Sequence, residues 1–231
     1  MSEVELYLGD CKDILPKLTG IDAIVTDSPY GIGKLNKFGS RNKATEAMAY
    51  LPIIGDDEPF DPTHLLIYPV ISLWGANWFA NRLPASGGWL IWDKKDGGTS
   101  DNFSDVEMAW TNAGNTTRLL HHKWRGMIRA SEQNEPRVHS TQKPVAVMRW
   151  NIEQLGLKPG ATICDPYMGS ATTGIAALQL GYKFIGIEIT EHYFNVATKR
   201  MLDTQRLIDG QPKQLTGHES DLSDMPLFAA S

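Results

Sequence analysis

Short apolar runs alternate with polar turns along this chain, and their spacing switches between two periods. Leu6-Tyr7-Leu8 ends at Gly9-Asp10, and residues 11–18 follow with helical spacing. Residues 21–26 form a continuous apolar run, the mark of a strand buried on both faces. That run stops at Asp27-Ser28-Pro29-Tyr30-Gly31, where proline and glycine signal a loop. Residues 31–60 show no sustained period and read as a mobile loop. Helices are expected over 62–71 and 78–83, with strands over 71–74 and 88–92 and a loop over 93–103. Residues 111–141 read as irregular. A helix is expected over 144–155, a strand over 162–164 ending at Asp165-Pro166, and a helix from Gly169 to about Leu180. Gly181 caps that helix. A strand over 182–187 and a helix over 191–207 complete the pattern. Strands alternating with helices predict an α/β fold, a doubly wound and mostly parallel sheet. Ligands in such sheets bind at the C-terminal ends of strands. Three chemically loaded turns fall there: Gly9-Asp10, the turn at 27–30 and the turn at 165–170.

Composition narrows the class. With 231 residues, 42% hydrophobic and 21% charged, the chain reads as an ordinary globular protein with one sizeable core. No apolar run reaches the length of a membrane span, and Met1 to Glu5 lacks a signal-peptide layout, so the expected location is cytoplasmic. Cys11 and Cys164 build neither a disulfide framework nor a metal cluster, and no metal is expected. The net charge is −5, but its distribution is uneven. Arg118, Lys123, Arg125, Arg129, Arg137 and Lys143 face only Glu132 and Glu135 between positions 118 and 143. Lys34, Lys37, Arg41 and Lys43 form a second basic cluster.

The stretch Asp165-Pro166-Tyr167-Met168-Gly169-Ser170-Ala171-Thr172-Thr173 places an acid at a strand end, then a glycine-bearing turn, then a helix start. The exposed amides of a helix start can receive a carboxylate. Glu188, at the end of the next strand, is placed to accept hydrogen bonds from a ribose. The same arrangement serves dinucleotides, so spacing alone leaves the cofactor open.

The segment resembles the S-adenosylmethionine-binding motif of DNA amino-methyltransferases, Asp-Pro-Phe-x-Gly-Ser-Gly-Thr-Thr, with Tyr167 for phenylalanine and Ala171 for the second glycine. His139-Ser140-Thr141-Gln142-Lys143-Pro144 resembles the family segment ahead of the first helix of the cofactor half, whose polar groups hold the methionine carboxylate. Gly9-Asp10-Cys11 resembles the family's Gly-Asp-Cys, whose acid meets the adenine of the cofactor; Asp10 also suits an N-cap. The resemblance thus implies S-adenosylmethionine as cofactor, bound by Asp10, Cys11, Asp27, His139, Ser140, Thr141, Lys143, the run from Asp165, Pro166, Tyr167, Met168, Gly169, Ser170 and Ala171 to Thr172, and Glu188 with Ile189.

Asp27-Ser28-Pro29-Tyr30 resembles the family motif (Asp, Asn or Ser)-Pro-Pro-(Tyr, Phe or Trp), with Ser28 where the pattern has proline. An aromatic amine is a poor nucleophile because its lone pair is delocalised into the ring. A carboxylate (Asp27) and a backbone carbonyl (Ser28) that accept its hydrogens stabilise the charge that grows on nitrogen. Pro29 stiffens the loop and Tyr30 offers a stacking face for an extruded base. The order of the motifs, catalytic before cofactor, is that of the beta group of this family, and Gly88-Trp89 with Ser104-Asp105-Val106-Glu107-Met108-Ala109-Trp110 resemble its phage- or prophage-borne members. The implied fold is a circularly permuted Rossmann-like methyltransferase.

The resemblance implies a single methyltransferase domain over 1–207, with a target-recognition insertion at about 111–138 and a flexible tail over 208–231. Double-stranded DNA is the implied partner, in a restriction-modification setting, with a homodimer by analogy. Lys34, Lys37, Arg41, Lys43, His121, His122, Lys123, Trp124, Arg125 and Arg129 are the candidate DNA contacts. Transfer to adenine N6 is the first reading, cytosine N4 the alternative, and an inactive DNA-binding homologue the third, motivated by Ser28 and Ala171. Methylation of cytosine C5 is disfavoured because neither cysteine follows a proline.

Overall fold

The structure is a computed structural model that describes residues 3–33, 54–97, 104–125, 128–133 and 142–210. Among the described residues ten strands form, the central ones from segments rich in β-branched residues. They are β1 (Val4–Leu8), β2 (Ala23–Thr26), β3 (Val70–Trp74), β4 (Trp89–Asp93), β5 (Val106–Thr111), β6 (Arg118–His121), β7 (Trp124–Arg125), β8 (Ile128–Arg129), β9 (Thr162–Asp165) and β10 (Lys183–Glu188). The helices are α1 (Cys11–Ile14), α2 (Val145–Glu153), α3 (Thr172–Gln179) and α4 (Glu191–Ile208).

Eight strands make one sheet in the order β1-β10-β9-β2-β3-β5-β4-β6, and β7 pairs with β8 in a separate hairpin. Every neighbouring pair in the large sheet is parallel except those of β5, which runs antiparallel to both β3 and β4. The two halves of the chain meet where β2 lies beside β9, with Ala23 opposite Ile163 and Ile24 opposite Cys164. The turns that follow those two strands therefore emerge side by side. This is the doubly wound, mostly parallel sheet that the alternation predicts.

Apolar side chains alternate across the sheet. Ala23, Val25, Ile163 and Phe184 pack with Met148, Ile152, Ile175 and Met201 of α2, α3 and α4. Ile24, Cys164, Ile185 and Ile187 pack on the other face with Cys11, Ile14, Phe60 and Leu65. Burial of both faces explains why the central strands read as unbroken apolar runs.

Three expectations are corrected, and one strand falls where none was expected. The helix over 62–71 is a single 3-10 turn, Thr63–Leu65, started by Asp61 and stopped short of Pro69, which has no amide proton for a helix. The helix over 78–83 is two 3-10 turns, Ala76–Trp78 and Ala80–Arg82. The irregular stretch 111–141 contains β6 and the β7–β8 hairpin. Strand β5 falls in a stretch that periodicity leaves unassigned, because its Val106, Glu107 and Met108 are only half-buried.

Candidate active site

The turn after β9 is built around Asp165. Its two oxygens accept from the hydroxyls of Thr26 and Thr173, each at 2.6 Å, and Oδ1 also accepts from the Tyr167 amide at 3.1 Å. The side chain is buried, and burial pushes its carboxyl up to about 6 against the pull of those donors. Asp165 thus faces inward and ties the turn to β2 and to the start of α3. Gly169 donates its amide to Glu188 Oε2 at 3.0 Å, and Thr190 donates to Oε1 at 2.8 Å, so Glu188 is fixed at the lip of the same turn. Burial raises the Glu188 carboxyl. Arg200 clamps the Ser170 carbonyl from α4 at 2.5 Å.

Ala171 sits in the left-handed region, φ 58° and ψ 35°, as the N-cap of α3. This is the position where the resembled motif has glycine, and it is fully buried. The Thr172 hydroxyl beside it is buried with no hydrogen-bond partner among the described residues. A buried polar atom without a partner suits a bound polar group. Nearby, Asp10 caps α1 by accepting from the Lys12 amide at 2.8 Å, Cys11 is buried, and the Tyr167 hydroxyl lies 3.1 Å from His64 Nε2. Ile189 is exposed just beyond β10.

The turn after β2 carries Asp27, Ser28, Pro29 and Tyr30. Three successive amides, of Tyr30, Gly31 and Ile32, converge on Asp56 Oδ1 at 3.1, 3.0 and 3.4 Å, which fixes the loop from outside. The Tyr30 ring rests on Gly75 at the end of β3, and its hydroxyl donates to Asp27 Oδ1 at 2.6 Å. Lys143 reaches the same oxygen at 2.5 Å, so both contacts leave Oδ2 as the acceptor available to a ligand. The Ser28 hydroxyl is buried and has no partner among the described residues.

Lys143 stands at the centre of this cluster. Besides Asp27 it contacts the Tyr30 hydroxyl at 3.0 Å and Glu107 Oε2 at 3.2 Å, and it lies 5.3 Å from the centre of the Trp74 ring. Glu107 Oε1 pairs with Lys94 at 2.8 Å. Burial opposes the charge on every member. For Asp27 burial prevails over the single cation Lys143 and the carboxyl is raised. Glu107 has two cations, and Lys143 and Lys94 together overcome burial and hold it at about 2. Burial disfavours the Lys143 ammonium, but Asp27 and Glu107 outweigh it and its pKa is raised. Burial and Asp27 push the Tyr30 phenol well above its usual value, so it remains a donor.

The structure thus brings Asp27, Tyr30 and Lys143 together, and it seats Asp165, Gly169 and Glu188 on the adjoining turn. Lys143, expected beside Ser140 and Thr141 as an anion site, pairs with the carboxylates of Asp27 and Glu107. His139, Ser140, Thr141, Lys34, Lys37, Arg41 and Lys43 lie outside the described residues. Trp124 is corrected from a DNA contact to a core side chain, since it is buried within the apolar cluster beneath β4. Arg129 stacks over its ring at 4.9 Å, His122 contacts the Ser131 hydroxyl at 3.0 Å, and His121 contacts Asp93 at 2.9 Å. Lys123 is exposed, and Arg125 lies in β7. Sequence reasoning missed Glu107, Lys94, Asp56 and Gly75 as site residues, because their roles rest on contacts with other elements: Glu107 on Lys143, Lys94 on Glu107, Asp56 on the amides of residues 30–32 and Gly75 on the Tyr30 ring.

Residues 87–199 match the DNA methylase family of N6/N4 methyltransferases. The match takes in Glu107, Lys143 and the Asp165 turn, while Asp27 lies ahead of it. The Type II methyltransferase M2.LlaDCHI of Lactococcus lactis subsp. cremoris is 30% identical over 112 residues, 48% of this chain and 40% of the relative. The Type II methyltransferase M2.DpnII of Streptococcus pneumoniae is 29% identical over 112 residues, 48% of this chain and 41% of the relative. The aligned stretch therefore spans about two fifths of the length of either relative. Among solved structures, the M1.HpyAVI–SAM complex superposes with a TM-score of 0.53 at 21% identity, covering 86% of this chain and 98% of that one. PvuII DNA methyltransferase (cytosine-N4-specific) superposes with a TM-score of 0.56 at 14% identity, covering 91% and 94%. These structures share the fold of this chain.

Proposed function

We propose that this chain, whose residues 87–199 match the DNA methylase family, transfers a methyl group from S-adenosylmethionine to an exocyclic amine of double-stranded DNA, adenine N6 in the first instance. The observation that carries this reading is the Asp27 carboxylate, anchored through Oδ1 by Tyr30 and Lys143 with Oδ2 left to accept. It stands beside the turn that joins Gly169 to Glu188. The preference for adenine rests on aspartate at the first position of the motif.

The residues of the second turn fit the cofactor. Glu188 would accept from the ribose hydroxyls, the unpartnered Thr172 hydroxyl and the amides at the start of α3 would receive its polar end, and Asp10 would serve the adenine. When bound, the cofactor would supply a methyl group on a sulfonium, from which an attacking amine would displace the thioether in line. The protein supplies the geometry for that displacement. Asp27 Oδ2 and the Ser28 carbonyl accept from the two amine hydrogens, stabilising the positive charge on nitrogen as the N–C bond forms. Reaching those acceptors requires the base to leave the duplex stack, and the half-buried Tyr30 leaves part of its ring for that base. Lys123, Arg129, His121 and the other basic residues around the β7–β8 hairpin suit phosphate contacts.

The test is a nucleoside analysis. The protein is incubated with radiolabelled S-adenosylmethionine and mixed-sequence duplex DNA, and the product is digested to nucleosides. Label in N6-methyldeoxyadenosine is the expected result. Label in N4-methyldeoxycytidine would replace adenine by cytosine and keep the transfer. No label with the cofactor still bound would make the chain an inactive DNA-binding homologue. Asp27→Ala is expected to abolish transfer and retain cofactor binding; loss of binding instead would overturn the roles given to the two turns.

A further inference from the structure

Glu107 is given no role by the catalytic and cofactor motifs, yet it touches the cation that holds Asp27. Strand β5 brings it there. Ala109 of β5 is opposite Trp74 of β3, and Glu107, two residues away, projects to the same side of the sheet as Ala109. The Trp74 ring lies 5.3 Å from the Lys143 ammonium, and Glu107 contacts that ammonium at 3.2 Å. Lys143 is thereby shared between Asp27 and Glu107, and Lys94 closes the row at 2.8 Å from Glu107. The row is Asp27, Lys143, Glu107, Lys94, with alternating signs and no net charge.

We infer that Glu107 is a positioning residue for methyl transfer, which draws the Lys143 ammonium partly off Asp27 and keeps the Asp27 carboxylate strong enough to accept from the target amine. The inference rests on the reading of Asp27 proposed above. A buried ammonium paired with Asp27 alone would neutralise the group meant to stabilise a developing positive charge. A second carboxylate on the same ammonium divides its field. The demand on Asp27 is specific. The nitrogen lone pair forms the new N–C bond and the C–S pair stays on sulfur. The nitrogen then sheds one hydrogen as a proton, which Asp27 accepts and yields to solvent. The charged and titratable groups around this pair are Lys143, Lys94 and Tyr30 within the cluster, Asp56 behind the Tyr30 amide, and Asp165 on β9.

The experiment compares Glu107→Gln and Glu107→Asp in the full chain. In Glu107→Gln, kcat is expected to fall roughly tenfold, with KM for DNA and for S-adenosylmethionine unchanged. The acid limb of kcat against pH should move to lower pH, because removing a neighbouring negative charge makes Asp27 easier to ionise. Glu107→Asp keeps the charge and should recover most of kcat. An unchanged kcat in Glu107→Gln would overturn the inference. So would a loss of kcat with an unmoved acid limb and no recovery in Glu107→Asp. Carboxyl NMR titration of Asp27 in the cofactor-free protein separates this inference from the functional reading. If the wild-type protein methylates no DNA but Glu107→Gln still lowers the Asp27 titration, the coupling stands and the proposed function fails. If that titration does not move, the coupling itself is overturned.

Discussion

Thr26 donates its hydroxyl to Asp165 at 2.6 Å across the junction of β2 and β9, linking residues 139 positions apart in the chain. The bond joins the strand that ends in the Asp27 loop to the strand that ends in the Asp165 turn. Neither residue is exposed, so the bond is sheltered from water. Thr26→Val keeps the shape of the side chain and removes the donor. Asp165 Oδ1 would then keep only the Tyr167 amide. A loss of about 1–3 kcal/mol is expected, the usual consequence of leaving a buried acceptor poorly satisfied. Urea denaturation measures it, and a loss under about 0.5 kcal/mol, as for a surface change, would show that the junction does not depend on this bond.

Gly75 supports the Asp27–Tyr30 loop from the end of β3. Its φ is 72°, and a Cβ there would fall 1.9 Å from Cε1 of Tyr30. Gly75→Ala therefore meets two obstacles: a left-handed backbone that costs alanine about 1–2 kcal/mol, and a ring that must move. Displacing Tyr30 removes its bond to Asp27. Activity is expected to fall by more than stability explains, with kcat reduced and cofactor affinity retained. Isothermal titration with S-adenosylmethionine beside steady-state kinetics would check this, and an unchanged kcat would mean that Tyr30 tolerates a shift.

Asp56 is the outer support of the same loop, taking the amides of Tyr30, Gly31 and Ile32 on one oxygen. Asp56→Ala would leave three amides without that acceptor and release the loop between Pro29 and Gly33. The expected signature is faster amide hydrogen exchange at residues 30–32 with the rest of the sheet unchanged. Uniform exchange across β2, β3 and β9 would show that the loop is held by other contacts.

These supports mark the boundary of what the sequence makes legible. The central strands β2, β9 and β10 announce themselves because burial on both faces leaves unbroken apolar runs. Asp27, Tyr30, Lys143, Asp165, Gly169 and Glu188 stand in recognisable local contexts at the ends of those strands and at the start of α2. Gly75, Asp56, Glu107 and Lys94 do not, because each is defined by a contact with another element that no local pattern announces. The helix expected over 62–71 failed because Pro69 lies inside the window. The strand β6 was missed because Arg118, Leu119 and His121 are exposed on a sheet edge and carry no alternation.

Ala171 departs from the family pattern, and its geometry makes the consequence calculable. In an ordinary helix Ala→Gly costs about 1 kcal/mol. At φ 58° the alanine is already strained by about 1–2 kcal/mol. Glycine would relieve that strain while giving up a buried methyl, worth about 0.8 kcal/mol, and gaining unfolded-state entropy of about 0.5–1 kcal/mol. The terms nearly cancel, so Ala171→Gly is expected to change stability by less than about 0.5 kcal/mol. Ala171→Val, β-branched in the same backbone, should destabilise clearly. Thermal melts of the two variants decide it, and a full helix-interior penalty for glycine would contradict the left-handed geometry.

Asp165 also makes stability depend on pH, with a sign opposite to that of most carboxylates. Its folded carboxyl is raised from 3.8 to about 6, chiefly by burial. The folded state therefore holds its proton more tightly than the unfolded state between those two values. Stability from this group is fully present below pH 3.8 and is lost as pH rises through 6. Glu107, held at about 2 against an ordinary value of 4.5, acts in reverse: its contribution is present above pH 4.5 and is lost as pH falls toward 2. The two act in adjoining windows, so paired variants separate them. The stability of wild type minus that of Asp165→Asn should rise as pH is lowered from 7 to 4, by at most about 3 kcal/mol. The stability of wild type minus that of Glu107→Gln should fall as pH is lowered from 4.5 toward 2. Chemical denaturation across that range measures both differences. A flat Asp165 difference would mean that the hydroxyls of Thr26 and Thr173 stabilise the carboxylate enough to cancel its burial.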